Sequence, residues 1–155
     1  MKEPSEARKR TLALQERAIT FSVAVNDCCP VNLNHVPSLI VWTQLVKAAD
    51  SSSNNLVEAE AASSDADFIS KMRIALREAK ESRTCLRKLR LGRLANAAAT
   101  IEKNLEQEAD ELSAIFATIV INVEKRLAGE SEPRRRKKLK ARKRASKKRS
   151  PKTSN

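Results

Sequence analysis

The residues of this chain best suited to chemistry are cations. Between positions 134 and 152 stand 13 Lys or Arg and no acid. Arg134, Arg135, Arg136, Lys137, Lys138, Lys140, Arg142, Lys143, Arg144, Lys147, Lys148 and Arg149 form its dense part. A phosphate polymer meeting such a run releases condensed counterions, so affinity arises without any reading of bases. The run has no aromatic side chain to stack on a base, which points to backbone contact with RNA or DNA and little sequence preference. A second stripe, Arg73, Arg77, Lys80 and Arg87, recurs at helical spacing and extends the same chemistry. An anionic membrane surface fits less well, because Leu139 is the arm's only large apolar residue and no apolar face is available to insert.

Groups for catalysis are scarce. His35 is the only histidine and sits in a linker between Asn34 and Pro37. No glycine-rich phosphate loop, HExxH motif or zinc-like Cys/His spacing occurs. Glu58, Glu78 and Glu81 are the carboxylates a helical hairpin could gather, yet di-metal sites in bundles need Glu-x-x-His pairs and no histidine follows. They read as structural carboxylates paired to arginine or to capping amides. Cys85, on a helix beside Arg and Lys, reads as a packed thiol. The chain is therefore expected not to be an enzyme, and neither a metal nor a cofactor is expected.

The net charge of +12 resolves once it is located. Removing the arm's 13 cations leaves 18 basic residues against all 19 acids, so the rest of the chain is nearly neutral. At 155 residues it holds one domain plus tails. The expected division is 1–10 as an N-terminal arm or helix start, 11–128 as the domain and 129–155 as a flexible basic tail. The adjacent thiols Cys28 and Cys29 cannot bridge without a strained ring, and Cys85 would be left over, so reduced thiols are expected. The start MKEPSEARKR lacks an apolar signal core, and no run approaches the roughly 20 apolar residues of a membrane span. A cytoplasmic, soluble protein follows as the expectation.

The elements that must position these groups are helices. With only two glycines, and apolar residues at steps of three and four, the pattern is all-α: an antiparallel up-and-down four-helix bundle with a disordered basic C-terminal tail. The first helix is predicted over 5–29, capped by Ser5 and stopped by Pro30. It bears two apolar stripes, Leu12, Ile19 and Val23 on one side and Leu14, Ala18, Phe21 and Val25 on nearly the other. A helix apolar on two sides must be covered twice, and a second subunit is the economical cover. Pro37 suits the first turn of the second helix, whose inward stripe is Trp42, Leu45, Ala49, Ser53 and Leu56. Opposite them Gln44, Ser51, Asn55 and Glu58 align, an uncharged stripe ending in one carboxylate that is expected to be semi-buried.

Ser64 and Asp67 offer a capping box for the third helix, whose stripe is Phe68, Met72, Ala75, Ala79, Leu86 and Leu89 and whose stop is Gly92. Positions 94–100 are alanine-rich and fit either a turn or the next helix's start. The fourth helix is predicted to about 127, with Leu105, Leu112, Phe116, Ile119 and Val123 inward and Gly129 ending it. Its acids Glu102, Glu106, Glu108, Asp110 and Glu111 suit a helix N-terminus and can also pair with the basic third helix. The arm cannot bury enough surface to offset its ordering entropy, so alone it should be disordered and against a polyanion helical or extended.

Over roughly 11–126 the chain resembles the bacterial four-helix bundle proteins first noticed as reading frames in intervening sequences of 23S ribosomal RNA genes. The residues carrying the likeness are Gln44-Leu45-Val46, Ser51, Asn55, Glu58-Ala59, Ser64, Asp67-Phe68-Ile69, Lys71, Ile74-Ala75-Leu76, Glu78-Ala79 and Glu81, and then Glu111-Leu112, Ala114-Ile115 and Thr118-Ile119-Val120. The polar stripe Gln44, Ser51, Asn55 and Glu58 belongs to that signature. The chain departs from it at Ser52-Ser53, at Ser70 and at Thr84-Cys85, where an aromatic pair is lost. The resemblance implies a cytoplasmic all-α subunit that assembles as a homopentamer, without established activity and suspected of RNA binding. The expected function is thus non-enzymatic nucleic-acid binding by an oligomer, RNA ahead of DNA. The alternatives are a scaffold for an acidic protein partner and, by fold-level analogy, an accessory to a retroelement reverse transcriptase.

Overall fold

The computed structural model describes residues 3, 5–31, 34–92 and 99–148, and within the last helix the side chains of 104–129. Four helices follow one another: α1 (Glu6–Cys28), α2 (Val36–Glu60), α3 (Asp65–Gly92) and α4 (Ala99–Lys148). Two compact units divide the chain, Met1–Val120 and Ile121–Asn155.

Each boundary has a local cause. At the start of α1 the Arg8 N–H donates to Ser5 Oγ at 3.3 Å, which satisfies one of the donors a first turn leaves over. Cys29 leaves the helix with φ −66° and ψ 122°, as the residue before Pro30 must to avoid the proline ring. In α2, Pro37 occupies the first turn, and His35 stands at the N-cap with its Nδ1 2.8 Å from Ser38 Oγ. The expected box at α3 forms in a shifted version. Asp67 N–H donates to Ser64 Oγ at 3.2 Å, but the Asp67 carboxylate accepts from Ser63 N–H, one residue earlier, at 3.1 Å. Helix α3 ends at Gly92 and α4 is under way at Ala99, with 93–98 outside the described residues.

Within Met1–Val120 the helices pack as neighbours of opposite sense. Gln15 meets Glu60 while Ser22 meets Asp50. Ser52 meets Ala75 while Glu58 meets Lys71. Arg83 meets Asp110 while Arg90 meets Glu106. In all three pairs of helices the numbering rises on one partner as it falls on the other, which is the up-and-down order. Arg17 on α1 reaches Glu108 and Glu111 on α4, so the first and last helices are neighbours too.

The core takes the stripes read from periodicity. Trp42, Leu45, Ala49, Ser53 and Leu56 are buried, and so are Met72, Ala75, Ala79, Leu86 and Leu89, with Phe68 half-buried at the edge. Helix α4 contributes Leu105, Leu112 and Phe116, with Ile119 half-buried; Val123, in the second unit, is half-buried as well. Small residues set how closely α2 and α3 approach. Ser52 Oγ donates to the Ala75 carbonyl at 3.0 Å, a bond between helices that only short side chains allow. On α1 the two stripes have separate fates. Ala18, Phe21 and Val25 are buried, whereas Leu12, Ile19 and Val23 stay 41–50% exposed.

One expected boundary is corrected. Gly129 does not end α4, which continues to Lys148. A glycine stops a helix when it takes a left-handed conformation; Gly129 does not take one, and as an ordinary helical residue it costs only about 1 kcal/mol relative to alanine. The turn that follows is nonetheless the weakest of α4 on chemical grounds. Pro133 has no N–H to offer the Gly129 carbonyl, and beyond it like charges three and four residues apart repel.

Candidate nucleic-acid interface

The basic groups fall into three sets with different surroundings. The first consists of cations consumed by the bundle. Arg17 holds Glu108 with Nε at 2.6 Å and a second nitrogen at 2.8 Å, and touches Glu111 at 2.5 Å. These hydrogen bonds push the Arg17 guanidinium well above its ordinary value, and the same contact, helped by Gln107, holds the Glu111 carboxyl below the usual carboxylate range. Arg90 donates to Glu106 at 2.9 Å and Arg83 lies 3.1 Å from Asp110, so acids of α4 do pair with α3. Lys71 is bound to Glu58, which raises the lysine's affinity for its proton; Arg8 pairs with Glu60. None of these charges is spare for a ligand.

The second set is the α3 stripe. Arg73, Arg77, Lys80 and Arg87 are all exposed, on a line that spans about 21 Å at the helical rise. Their availability differs. Arg77 donates twice to its neighbour Glu78, at 2.7 and 3.0 Å, and that carboxylate is itself mostly covered. Lys80 and Arg87 project to solvent without an ion pair to a described acid.

The third set is the arm. Arg134, Arg135, Arg136, Lys137, Lys138, Lys140, Arg142, Lys143, Arg144, Lys147 and Lys148 stand on helical backbone, their side chains outside the described residues, and Arg149 lies outside altogether.

The polar signature is more exposed than its composition suggested. Ser51 and Asn55 are half-buried, as expected, but Gln44 and Glu58 face solvent, which corrects the semi-buried expectation for those two. Asn55 Nδ2 donates to the Ser51 carbonyl at 2.8 Å, so the amide is spent within its own helix. Lys71 gives Glu58 a charged partner that links α2 and α3 at the surface. Among the described residues the buried polar side chains are instead Gln15, Ser22, Ser38, Ser52, Ser53, Ser82 and Ser113. Several return their hydroxyl to the preceding turn, as Ser82 does to the Glu78 carbonyl at 3.0 Å and Ser113 to that of Ala109 at 2.7 Å. In sequence they look like any other serine.

The remaining candidates for chemistry have partners or cover of their own. Cys85 is 2% exposed, and burial pushes its thiol up, with Glu81 adding to the shift and Lys88 opposing it. A thiol kept protonated is a poor nucleophile. Glu58 and Glu78 each face a cation of their own chain. Among the described residues no three His, Cys, Asp or Glu side chains gather as a metal site would require, and no helix is long and apolar enough to cross a membrane.

The matching family model is that of the 23S rRNA-intervening sequence protein, and it covers residues 10–118. The chain belongs to this family. A solved structure with the same fold comes from Bacteroides thetaiotaomicron and is described as a protein of unknown function from the S23 ribosomal protein family; it shares 24% identity, with a TM-score of 0.61 over 71% of this chain and 96% of that one. No curated protein matches the chain. The 23S rRNA-intervening sequence match spans the helices that build the bundle and stops before the arm, so the 13 cations lie beyond what the family model describes.

Proposed function

We propose that this protein is a non-enzymatic, cytoplasmic RNA-binding accessory, whose bundle associates into a homo-oligomer and whose arm holds the phosphate backbone. The observation that carries the reading is where charge is left over. In the bundle Arg17, Lys71, Arg83 and Arg90 are engaged by acids, whereas the arm has no acid anywhere between 134 and 152. RNA is favoured over DNA because the family is described by its ribosomal RNA context. Self-association is supported by the second stripe of α1, where Leu12, Ile19 and Val23 are exposed, and by Leu39 and Ile40 on α2, 46% and 54% exposed. A ring of five, as the family resemblance implies, would bring the arms together and raise avidity through effective concentration.

The test is RNA and DNA binding measured over a salt series, with the full chain and with a version ending at Glu132. For a single strand the logarithm of affinity should fall with the logarithm of salt by about 0.7 per phosphate contacted. The full chain should show a steep slope, and the truncated version should lose both most of its affinity and most of that slope. Equal affinity of the two versions would refute the role given to the arm. Binding of an acidic protein but no nucleic acid would replace the reading with a protein scaffold. Mass measurement under native conditions checks the assembly.

A further inference from the structure

The bundle contains a cleft that the RNA-binding reading does not use. It has a volume of about 720 Å³ and opens beside the turn between α2 and α3. Its position explains why three residues of the inward stripes are only half-buried. Leu14, Phe68 and Ile119 belong to stripes whose members a turn or two further in, Phe21, Met72 and Phe116, are buried. At this end the stripes do not close on one another, and Leu56 and Met72 form the floor of the space between them. All four helices contribute to its walls. A space of this size with an apolar interior is usual for sites that enclose small organic molecules. Water meets few polar partners against such walls, so a hydrocarbon gains by replacing it.

The charges around the opening decide which molecule. Each ionic group among the described lining residues is already engaged. Glu60 pairs with Arg8 and accepts from Gln15 Nε2 at 2.8 Å. Asp65 has an interaction of its own, and Asp67, outside the cleft, accepts from the Ser63 N–H at 3.1 Å and faces Lys71. The field at the N-terminus of α3 is answered by the Ser64 cap and by the two acids of the first turn. The Thr11 hydroxyl, at the rim, donates to the Ala7 carbonyl at 3.2 Å. A head group of either charge would therefore lie uncompensated against hydrocarbon, which costs free energy. To keep that head in water, the ion must withdraw a methylene or two from the cleft, each worth about fourfold in affinity. We infer that this cleft binds an uncharged, hydrocarbon-rich small molecule, of which a medium-chain alcohol is the simplest. Its chain lies among Leu14, Leu56, Phe68, Met72 and Ile119, and its hydroxyl sits at the solvent edge beside Thr11.

Octanol, octanoate and octyltrimethylammonium, each below its solubility or micelle-forming limit, are probes of one chain length and three charges. Binding to the full chain is followed residue by residue through backbone amide shifts, which separates the cleft from the basic arm and from the exposed stripe of α1. Octanol should shift the amides of Ala62, Ser63 and Ser64 saturably and bind there about tenfold more tightly than either ion. Thr11→Trp, at an exposed position on the rim, should block the cleft and abolish those shifts while leaving the thermal unfolding midpoint in place. Glu60→Gln should bring octanoate to within about threefold of octanol, because Arg8 then lacks its carboxylate. Absence of octanol shifts at 62–64, binding of either ion as tight as octanol's, shifts that survive Thr11→Trp, or an octanoate preference unmoved by Glu60→Gln would each overturn the assignment. Shifts at 62–64 that follow protein concentration instead of octanol would give the cleft to a second copy of this chain and overturn it too.

Discussion

Helix α3 and the arm are both rich in lysine and arginine, yet they teach opposite lessons about what a basic stretch means. On α3 several of the cations are met by an acid of their own helix or of an acidic neighbour: Arg77 is held by Glu78, Arg83 by Asp110 and Arg90 by Glu106. In the arm no acid stands within the run at all. Charge density along a sequence is therefore a poor guide to charge available for a partner. What matters is whether a counter-charge already sits within hydrogen-bond reach.

The strongest way to break that comparison is to neutralise each region in turn. Replacing Arg134, Arg135, Arg136, Lys137 and Lys138 by glutamine should weaken RNA binding by about a hundredfold at low salt, since each phosphate contact contributes a counterion-release increment. The same change at Arg73, Arg77, Lys80 and Arg87 should weaken it only a few fold, with Lys80 and Arg87 accounting for most of the loss. Filter binding at a fixed low salt concentration distinguishes the two sets. A larger effect from the α3 set would reverse the assignment of the interface.

A second contrast separates the two stripes of α1 and the core they do or do not join. Leu86→Ala removes a fully buried side chain and should cost about 3 kcal/mol of stability, read as a lower denaturant midpoint, with RNA affinity unchanged under conditions where the variant is folded. Ile19→Glu changes an exposed position of the uncovered stripe, so the isolated fold should tolerate it while the assembly falls apart in native mass measurement. An unaltered assembly would mean that the stripe is not a subunit interface.

Much of the bundle could be read from residue order alone, because helix periodicity is local. The stripes of α2 and α3 reappear as the core almost residue for residue, and Ser5, Pro30 and Ser64 act at the boundaries where their backbone chemistry requires it. What the chain does not announce is pairing over distance. The contact of Arg17 with Glu108 joins residues 91 apart, and nothing in either neighbourhood marks them as partners. Nor does sequence separate the buried Ser52 from the half-buried Ser51, since one helical step decides which of the two faces the Ala75 carbonyl. The cleft was equally hidden, being assembled from four segments that each read as ordinary core edge.

The Arg17 contact also predicts a response to acid. Glu111 has its carboxyl lowered from 4.5 by Arg17 and Gln107, so its contribution to stability is fully present above that value and is lost as pH falls through the lowered one. Unfolding midpoints followed from pH 7 to pH 3 should therefore drop more for the natural chain than for Arg17→Gln, which has already lost the interaction at neutral pH. Parallel curves would show that the pair contributes nothing measurable, as is common for contacts this open to water.

The smallest effect concerns the join between body and arm. Gly129 lies in a helical conformation, and a Cβ placed there would meet nothing within 4 Å. Gly129→Ala should therefore raise helix content and stabilise that turn by up to about 1 kcal/mol, because alanine loses less backbone entropy on becoming helical. Amide hydrogen exchange across 127–132 reads the change directly. RNA affinity should stay the same if the arm binds as a string of cations, for which the stiffness of its attachment is secondary. If affinity instead changes severalfold, the direction in which the bundle presents the arm matters as much as its charge, and the two regions act as one surface.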